Sequence, residues 1–284
     1  MLMALGSAAL FGAMAVAIRL GFRSGASAQT ASAEAGALVT LATALAVIAT
    51  WALARGEWDL PRAWPFLLAG LLAPGCSQVL FTAGVKAAGP SRASVTVGTA
   101  PLFSVAIALL FLGEPVVAGV IVGAVLVVAG GAMLASERGR PEGFRAIGLV
   151  LAAAATVIFA TRDSLIRQLG THASHVSPSL AALATILSGT GAVLIVFLAR
   201  RRPLELRSTR AFVPAGLLSG ASYLLLFSAF YRGRVSVVSP LIATETLWGV
   251  GLSALLLRQE LVGRRLAFGA ALVVTGGVLI GIFR

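Results

Sequence analysis

The sequence predicts an all-α integral membrane protein of ten transmembrane helices, arranged as two inverted five-helix repeats. Three observations carry that expectation. The chain is 58% hydrophobic and only 11% charged, its charges fall between long apolar runs, and its two halves match at a fixed offset. A soluble domain needs roughly a quarter of its residues charged to cover its surface. A chain of 284 residues with mean hydropathy +0.98 has no such supply. A hydrocarbon core about 30 Å thick takes about 20 apolar residues per helical span.

The spans fall near residues 4–20, 34–54, 64–85, 94–112, 117–135, 146–168, 179–199, 211–231, 236–257 and 264–283. Each is a Leu/Ala/Val-rich run without the alternation of a barrel strand, so helix is the conformation that satisfies its backbone in lipid. Ala26-Ser27-Ala28 resembles a signal-cleavage site, but Arg19 and Arg23 follow the first apolar stretch instead of preceding it. A cleavable signal has the reverse order, so residues 4–20 read as a retained span. Pro74, Pro101 and Pro240 lie within spans, where proline kinks or unwinds a helix. Cys76 is the single cysteine, which rules out an intrachain disulfide, and it is expected as a small buried hydrophobe.

The repeat emerges on sliding the chain against itself by 146 residues. Between Glu114 and Leu134 nine of 21 positions are then identical, among them Glu114/Glu260, Gly123/Gly269 and Gly130-Gly131/Gly276-Gly277. Between Phe66 and Lys86 eight of 21 match. The biased composition alone gives roughly one match in ten. The first spans align at offset 148, through Phe11/Phe159, Ile18/Ile166 and Arg19/Arg167. The domains are thus residues 1–136 and 146–284, joined by a polar connection at 137–145. Five spans per unit is odd, so the second copy enters the membrane inverted. Inverted repeats recur in secondary transporters, with the solute site near the midplane between the copies.

The repeated residues also carry a family resemblance. Each unit has a fourth span ending in Gly113-Glu114 or Gln259-Glu260, then a Gly-rich fifth span; the first span holds Phe11-Gly12 and the fourth Pro101. This ordered set resembles the drug/metabolite transporter superfamily, EamA-type, over the whole chain, and within it the bacterial YddG-type amino-acid exporters. The second unit departs from the pattern, with Leu247 in place of proline and Gln259 in place of glycine. The resemblance implies a basket of helices around a central cavity, lined by the fourth and ninth spans with the fifth and tenth packed outside. It further implies a multi-pass protein of a bacterial inner membrane that exports amino acids or related metabolites by alternating access. Carriage of drugs or nucleotide sugars on the same fold stays open, as does a passive channel. Gly119-xxx-Gly123 and Gly277-xxx-Gly281 offer small surfaces for close helix approach, since lipid gives no hydrophobic drive for association.

Polar groups inside spans are costly, so their positions are informative. Arg162-Asp163 lies two thirds along the sixth span, either as an ion pair near the interface or with Arg162 attracting a carboxylate and Asp163 orienting it. Glu245, flanked by Thr244 and Thr246, lies well inside the ninth span, and its repeat mate is Thr99. A carboxylate near the midplane suits cation binding or proton coupling. Thr96, Thr99, Ser77, Gln78, Tyr223 and Trp248 either bond a solute or serve packing and their own helices. Trp248, three residues after Glu245, is expected on a similar face, giving an anionic spot with an aromatic wall that suits a zwitterion. Glu34 is expected to cap the second span, and Glu114 and Glu260 to anchor turns.

His172 and His175 lack a cluster at metal spacing, no phosphate loop or nucleophile motif occurs, and neither an enzyme, a cofactor nor a metal site is expected. The net charge of +12 comes from basic residues dispersed among connections, which suits lipid headgroups and not nucleic acid. The expected partners are therefore the bilayer and a small solute, amino acids under the resemblance; the oligomeric state is open, with a monomer compatible. Odd-numbered connections carry 15 basic residues against 7 elsewhere, which favours external termini, whereas the resemblance implies cytoplasmic ones.

Overall fold

Apolar runs become helices whose ends have local causes. The computed structural model describes residues 1–24, 32–57, 59–100, 102–103, 117–135, 144–172, 176–200, 209–233, 238, 241–257 and 263–283. Helix α1 spans Leu2–Arg23 and α2 spans Ala33–Ala54. The Ser32 hydroxyl caps α2 by accepting the Ala35 N–H at 3.1 Å. Glu34 is not the cap. It lies in the first turn, where its carboxylate takes a 2.6 Å bond from Arg200 at the far end of a packed neighbour.

The third run is broken. Helix α3 (Trp64–Gly70) passes through a wide turn at Leu71–Cys76 into α4 (Ser77–Ala88). Ala73 is extended there, because Pro74 has no N–H to continue the ladder. Pro74 faces inward, so close to Gly189 that a Cβ on that glycine would lie 2.6 Å from the proline ring. Gly75 and Ser77 are buried while Cys76 between them is exposed, contrary to the expectation of a buried thiol.

Helix α5 (Pro90–Val97) ends in a turn at Gly98 and Thr99, after which Leu102 and Phe103 are again helical. Helices α6 (Ala118–Ala135), α7 (Ile147–His172), α8 (Pro178–Ala199) and α9 (Val213–Arg232) follow. Residues 241–243 are helical, Thr244 forms a turn, and α10 (Glu245–Leu256) begins directly after it; α11 is Arg264–Phe283. The fourth and ninth runs, in which Pro101 and Pro240 are expected to kink or unwind the helix, are thus both interrupted, at Gly98–Thr99 and at Thr244. Gly98 and Thr244 are separated by the same 146 positions as the sequence repeat. Among the described residues, six helical stretches are long and apolar enough to cross a membrane: Leu2–Arg23, Ala33–Ala54, Pro61–Ala88, Ile147–Ile166, Pro178–Ala199 and Arg210–Arg232.

Packing is reciprocal between the halves. Helix α1 packs on α9 and α4 on α7, while α2 packs on α8, α5 on α10 and α6 on α11. The α6/α11 pair is antiparallel: Gly123 lies against Gly276 and Gly130 against Gly269. A Cβ at Gly123 would stand 2.7 Å from the Gly276 carbonyl, so only glycine allows this backbone approach. The α11 glycines meeting α6 in these contacts are thus Gly269 and Gly276, one position before the Gly277 of the expected motif. Helices α2 and α8 are also antiparallel, joined by Glu34–Arg200 at one end and by a Ser179 hydroxyl donating to Glu57 at the other.

The end of the molecule that holds Arg19 and Lys86 carries a packed aromatic pair. Phe22 and Phe212 meet edge to face at 4.8 Å, over a buried cluster that includes Ile18, Val85, Ala152, Ala155 and Ala215. Beside it Arg19 donates to the Lys86 carbonyl at 2.8 Å, and the Lys86 ammonium sits 4.9 Å from the Phe22 ring.

Candidate functional site

Between the two halves lies a cavity of about 680 Å³, counting its open mouth. The first half contributes Phe11 and Met14 from α1, Gln78 and Phe81 from α4, and Ser94, Val97 and Ala100 from the fourth run. The second half contributes Phe159, Arg162 and Asp163 from α7, Tyr223 from α9, and Ile242, Ala243 and Glu245 around the ninth-run break. Mostly apolar walls with a few convergent polar groups are the usual make-up of a small-molecule site. Phe11 and Phe159 are repeat mates at offset 148, so the same position of each half supplies an aromatic wall.

Among the described residues every charged lining group comes from the second half. Arg162 is 3% exposed and folds back onto its neighbour, donating through Nε at 2.9 Å and NH2 at 2.7 Å to Asp163 Oδ1. Its NH1 donates to the Tyr223 hydroxyl at 2.7 Å. The guanidinium lies 5.2 Å from the ring centroids of both Phe159 and Tyr223. Hydrogen bonds in its plane and rings beside it give a buried cation the compensation it needs. Arg162 therefore does not snorkel towards the interface; it is held in the cavity wall by a partner on its own helix and one on α9.

Glu245 owes its place to the interruption at Thr244. As the first residue of α10, its carboxylate sits at a helix N-terminus, where the helix dipole favours negative charge. It is 8% exposed, faces the cavity, and takes no side-chain hydrogen bond among the described residues. Gly12 seats this turn: a Cβ there would be 2.7 Å from the Gly249 nitrogen and 2.8 Å from the Glu245 carbonyl. With Gly249 and the Glu245 backbone turned to α1, Trp248 points outward and is 47% exposed. The aromatic wall expected from Trp248 is supplied instead by Phe11, Phe81, Phe159 and Tyr223.

The remaining sequence candidates divide plainly. Thr96, Thr99 and Thr244 donate to the backbone of their own segments, to Arg92 at 2.8 Å, Thr96 at 2.6 Å and Leu241 at 2.6 Å, and none lines the cavity. Ser77 is fully buried with an unpaired hydroxyl but lies behind the wall. Gln78 does line it, 1% exposed, with its amide nitrogen unpaired. Gly12, Gly123 and Gly269 are helix-contact positions, whereas Pro101, Gly113, Glu114, Pro240 and Glu260 lie outside the described residues. Among the described residues no three His, Cys, Asp or Glu side chains come together as a metal site.

The EamA-like transporter family matches residues 1–136 and again residues 146–282. The chain belongs to the EamA-like transporter family. It is accordingly a multi-pass membrane transporter of the drug/metabolite type, and six of its described helical stretches are long and apolar enough to cross a membrane. A crystal structure of a protein is similar with a TM-score of 0.71, over 98% of this chain and 94% of its own, at 21% identity. At that identity the likeness shows the fold alone. No curated protein matches significantly.

Proposed function

We propose that this transporter is a secondary carrier exporting amino acids and related small metabolites by alternating access, as in the YddG-type exporters it resembles, from the inner membrane of a bacterium. The observation that carries the reading is the cavity between the two matched segments, bounded on one side, through Met14 and Phe81, by the packed cluster that holds Phe22 and Phe212. A carrier needs a solute site that reaches one side at a time; a channel has no use for a packed floor.

Ten spans in two inverted units are part of the proposal. Support comes from counterpart helices at the 146-residue offset, α2 with α8 and α6 with α11. Each pair packs antiparallel, through Glu34–Arg200 with Ser179–Glu57 and through Gly123–Gly276 with Gly130–Gly269 respectively, as inversion demands. Rocking one unit on the other would open the floor and close the far side. No ordering with respect to a second copy is needed, so a monomer embedded in lipid suffices. The test is counterflow in proteoliposomes preloaded with single amino acids: saturable uptake that requires internal solute supports the carrier. Uptake that neither saturates nor requires internal solute makes it a channel.

A further inference from the structure

We propose that the cavity recognises its cargo by a positively charged nitrogen, at Glu245, and not by a carboxylate at Arg162. The inference rests on the carrier reading above and narrows its substrate class to amines, organic cations and amino acids held by their ammonium end.

Arg162 is already committed on three of its five N–H groups: Nε and one N–H of NH2 donate to Asp163, one N–H of NH1 donates to Tyr223, and the guanidinium has Phe159 and Tyr223 beside it. Its charge is already met by Asp163 on the same helix, and a carboxylate would have to reach the two remaining N–H groups on a side chain that is 4% exposed. Glu245 is the opposite case. The residue is 8% exposed and lines the cavity, and its carboxylate has no hydrogen-bond donor among the described residues. A desolvated acceptor left unpaired by the protein is free for a donor brought by the ligand.

The charge count agrees. Among the described residues the charged side chains lining the cavity are Arg162, Asp163 and Glu245; with the first two compensating each other, an ionised Glu245 leaves the site negative by one unit. The other groups fit a cation too. Phe11 and Phe81 line the cavity with no protein cation over them among the described residues, and an aromatic face attracts an ammonium group. The unpaired Gln78 amide nitrogen is a donor, so it is available to an acceptor elsewhere on the ligand and not to the cationic nitrogen itself.

The test compares three probes of one shape on the purified full-length protein: phenylalanine, 2-phenylethylamine without the carboxylate, and 3-phenylpropionate without the ammonium. Equilibrium binding of the labelled amine and competition by the others are measured alongside amino-acid counterflow. Phenylethylamine is expected to bind within about tenfold of phenylalanine, and phenylpropionate at least about thirtyfold more weakly, as follows from an unpaired buried charge. Glu245→Gln is expected to lose the preference while retaining wild-type thermal unfolding; should it not fold, the wild-type probe series alone decides. Equal binding of the acid and the amine, or no binding of any probe, overturns the inference. Amino-acid counterflow without amine binding sinks it and leaves the carrier reading standing. Amine binding without amino-acid exchange sinks the amino-acid assignment and leaves the ammonium site standing.

Discussion

Replacing Arg162 by Met leaves the Asp163 carboxylate buried with neither of its two donors, and removes the donor to the Tyr223 hydroxyl. Asp163 is 19% exposed at the side chain and Arg162 4%, so water offers little compensation. Orphaning one member of a buried pair costs about 3–5 kcal/mol. Replacing both together, Arg162→Met with Asp163→Asn, removes the orphan, and such pairs are often exchanged at little net cost. The double variant is therefore expected to be more stable than Arg162→Met alone, with a coupling of about 0.5–3 kcal/mol between the sites. The assay is reversible unfolding in mixed micelles for the wild type, both single variants and the double. Additive losses, with the double variant the least stable of the four, would refute the claim that the two charges serve each other. They would also reopen Arg162 as an anion site.

Two further perturbations address the seat of Glu245 and the packed floor. Gly12→Ala puts a methyl group within 2.8 Å of the α10 backbone, so the half-helix must shift. A stability loss of about 1–3 kcal/mol is expected, with weakened solute binding, and unchanged values for both would show that Gly12 does not position Glu245. In a chain whose Cys76 is replaced by Ala, a cysteine pair at Phe22 and Phe212, whose rings are 4.8 Å apart, should stop exchange when cross-linked and recover on reduction. Continued exchange by fully cross-linked protein would remove the floor from the transport cycle.

The helices are largely legible in the sequence because hydrophobic length is a physical requirement of the bilayer. The runs expected at 34–54, 117–135 and 264–283 become Ala33–Ala54, Ala118–Ala135 and Arg264–Phe283. Arg162, Asp163 and Glu245 stand out for the same reason, since charge inside an apolar run calls for an explanation. Pro240 signals an interruption of the ninth run, but its place at Thr244 is hidden, because apolar patterning continues up to it: Leu241-Ile242-Ala243 reads like the helix that follows. Spacing of i,i+3 puts Trp248 beside Glu245, but contact of the α10 backbone with Gly12 turns the indole outward. Phe11, Phe81 and Phe159 escape notice as wall residues, since aromatics in membrane helices carry no signal of which face they occupy. The Phe11/Phe159 match at offset 148 is the available clue: one aromatic retained at the same place in both halves.

The threonines show the opposite lesson. Thr96, Thr99 and Thr244 have the chemistry to bind a solute, but in a low-dielectric helix the nearest carbonyl is the more accessible acceptor, and all three take it. The repeat also explains why the polar site is one-sided. Met14 and Ser77 of the first half stand where the second has Arg162 and Tyr223, and Thr99 where it has Glu245. Symmetry builds the enclosure, and divergence of one copy supplies its charge.

The most direct measurement is counterflow of a labelled amino acid into preloaded proteoliposomes, carried out side by side for the wild type and for Glu245→Gln verified to be folded. Saturable exchange by the wild type, lost or strongly weakened in the variant, is the expected result. Saturable exchange that is identical in the two proteins would mean that solute passes without engaging the cavity carboxylate, and would contradict the site proposed for this transporter.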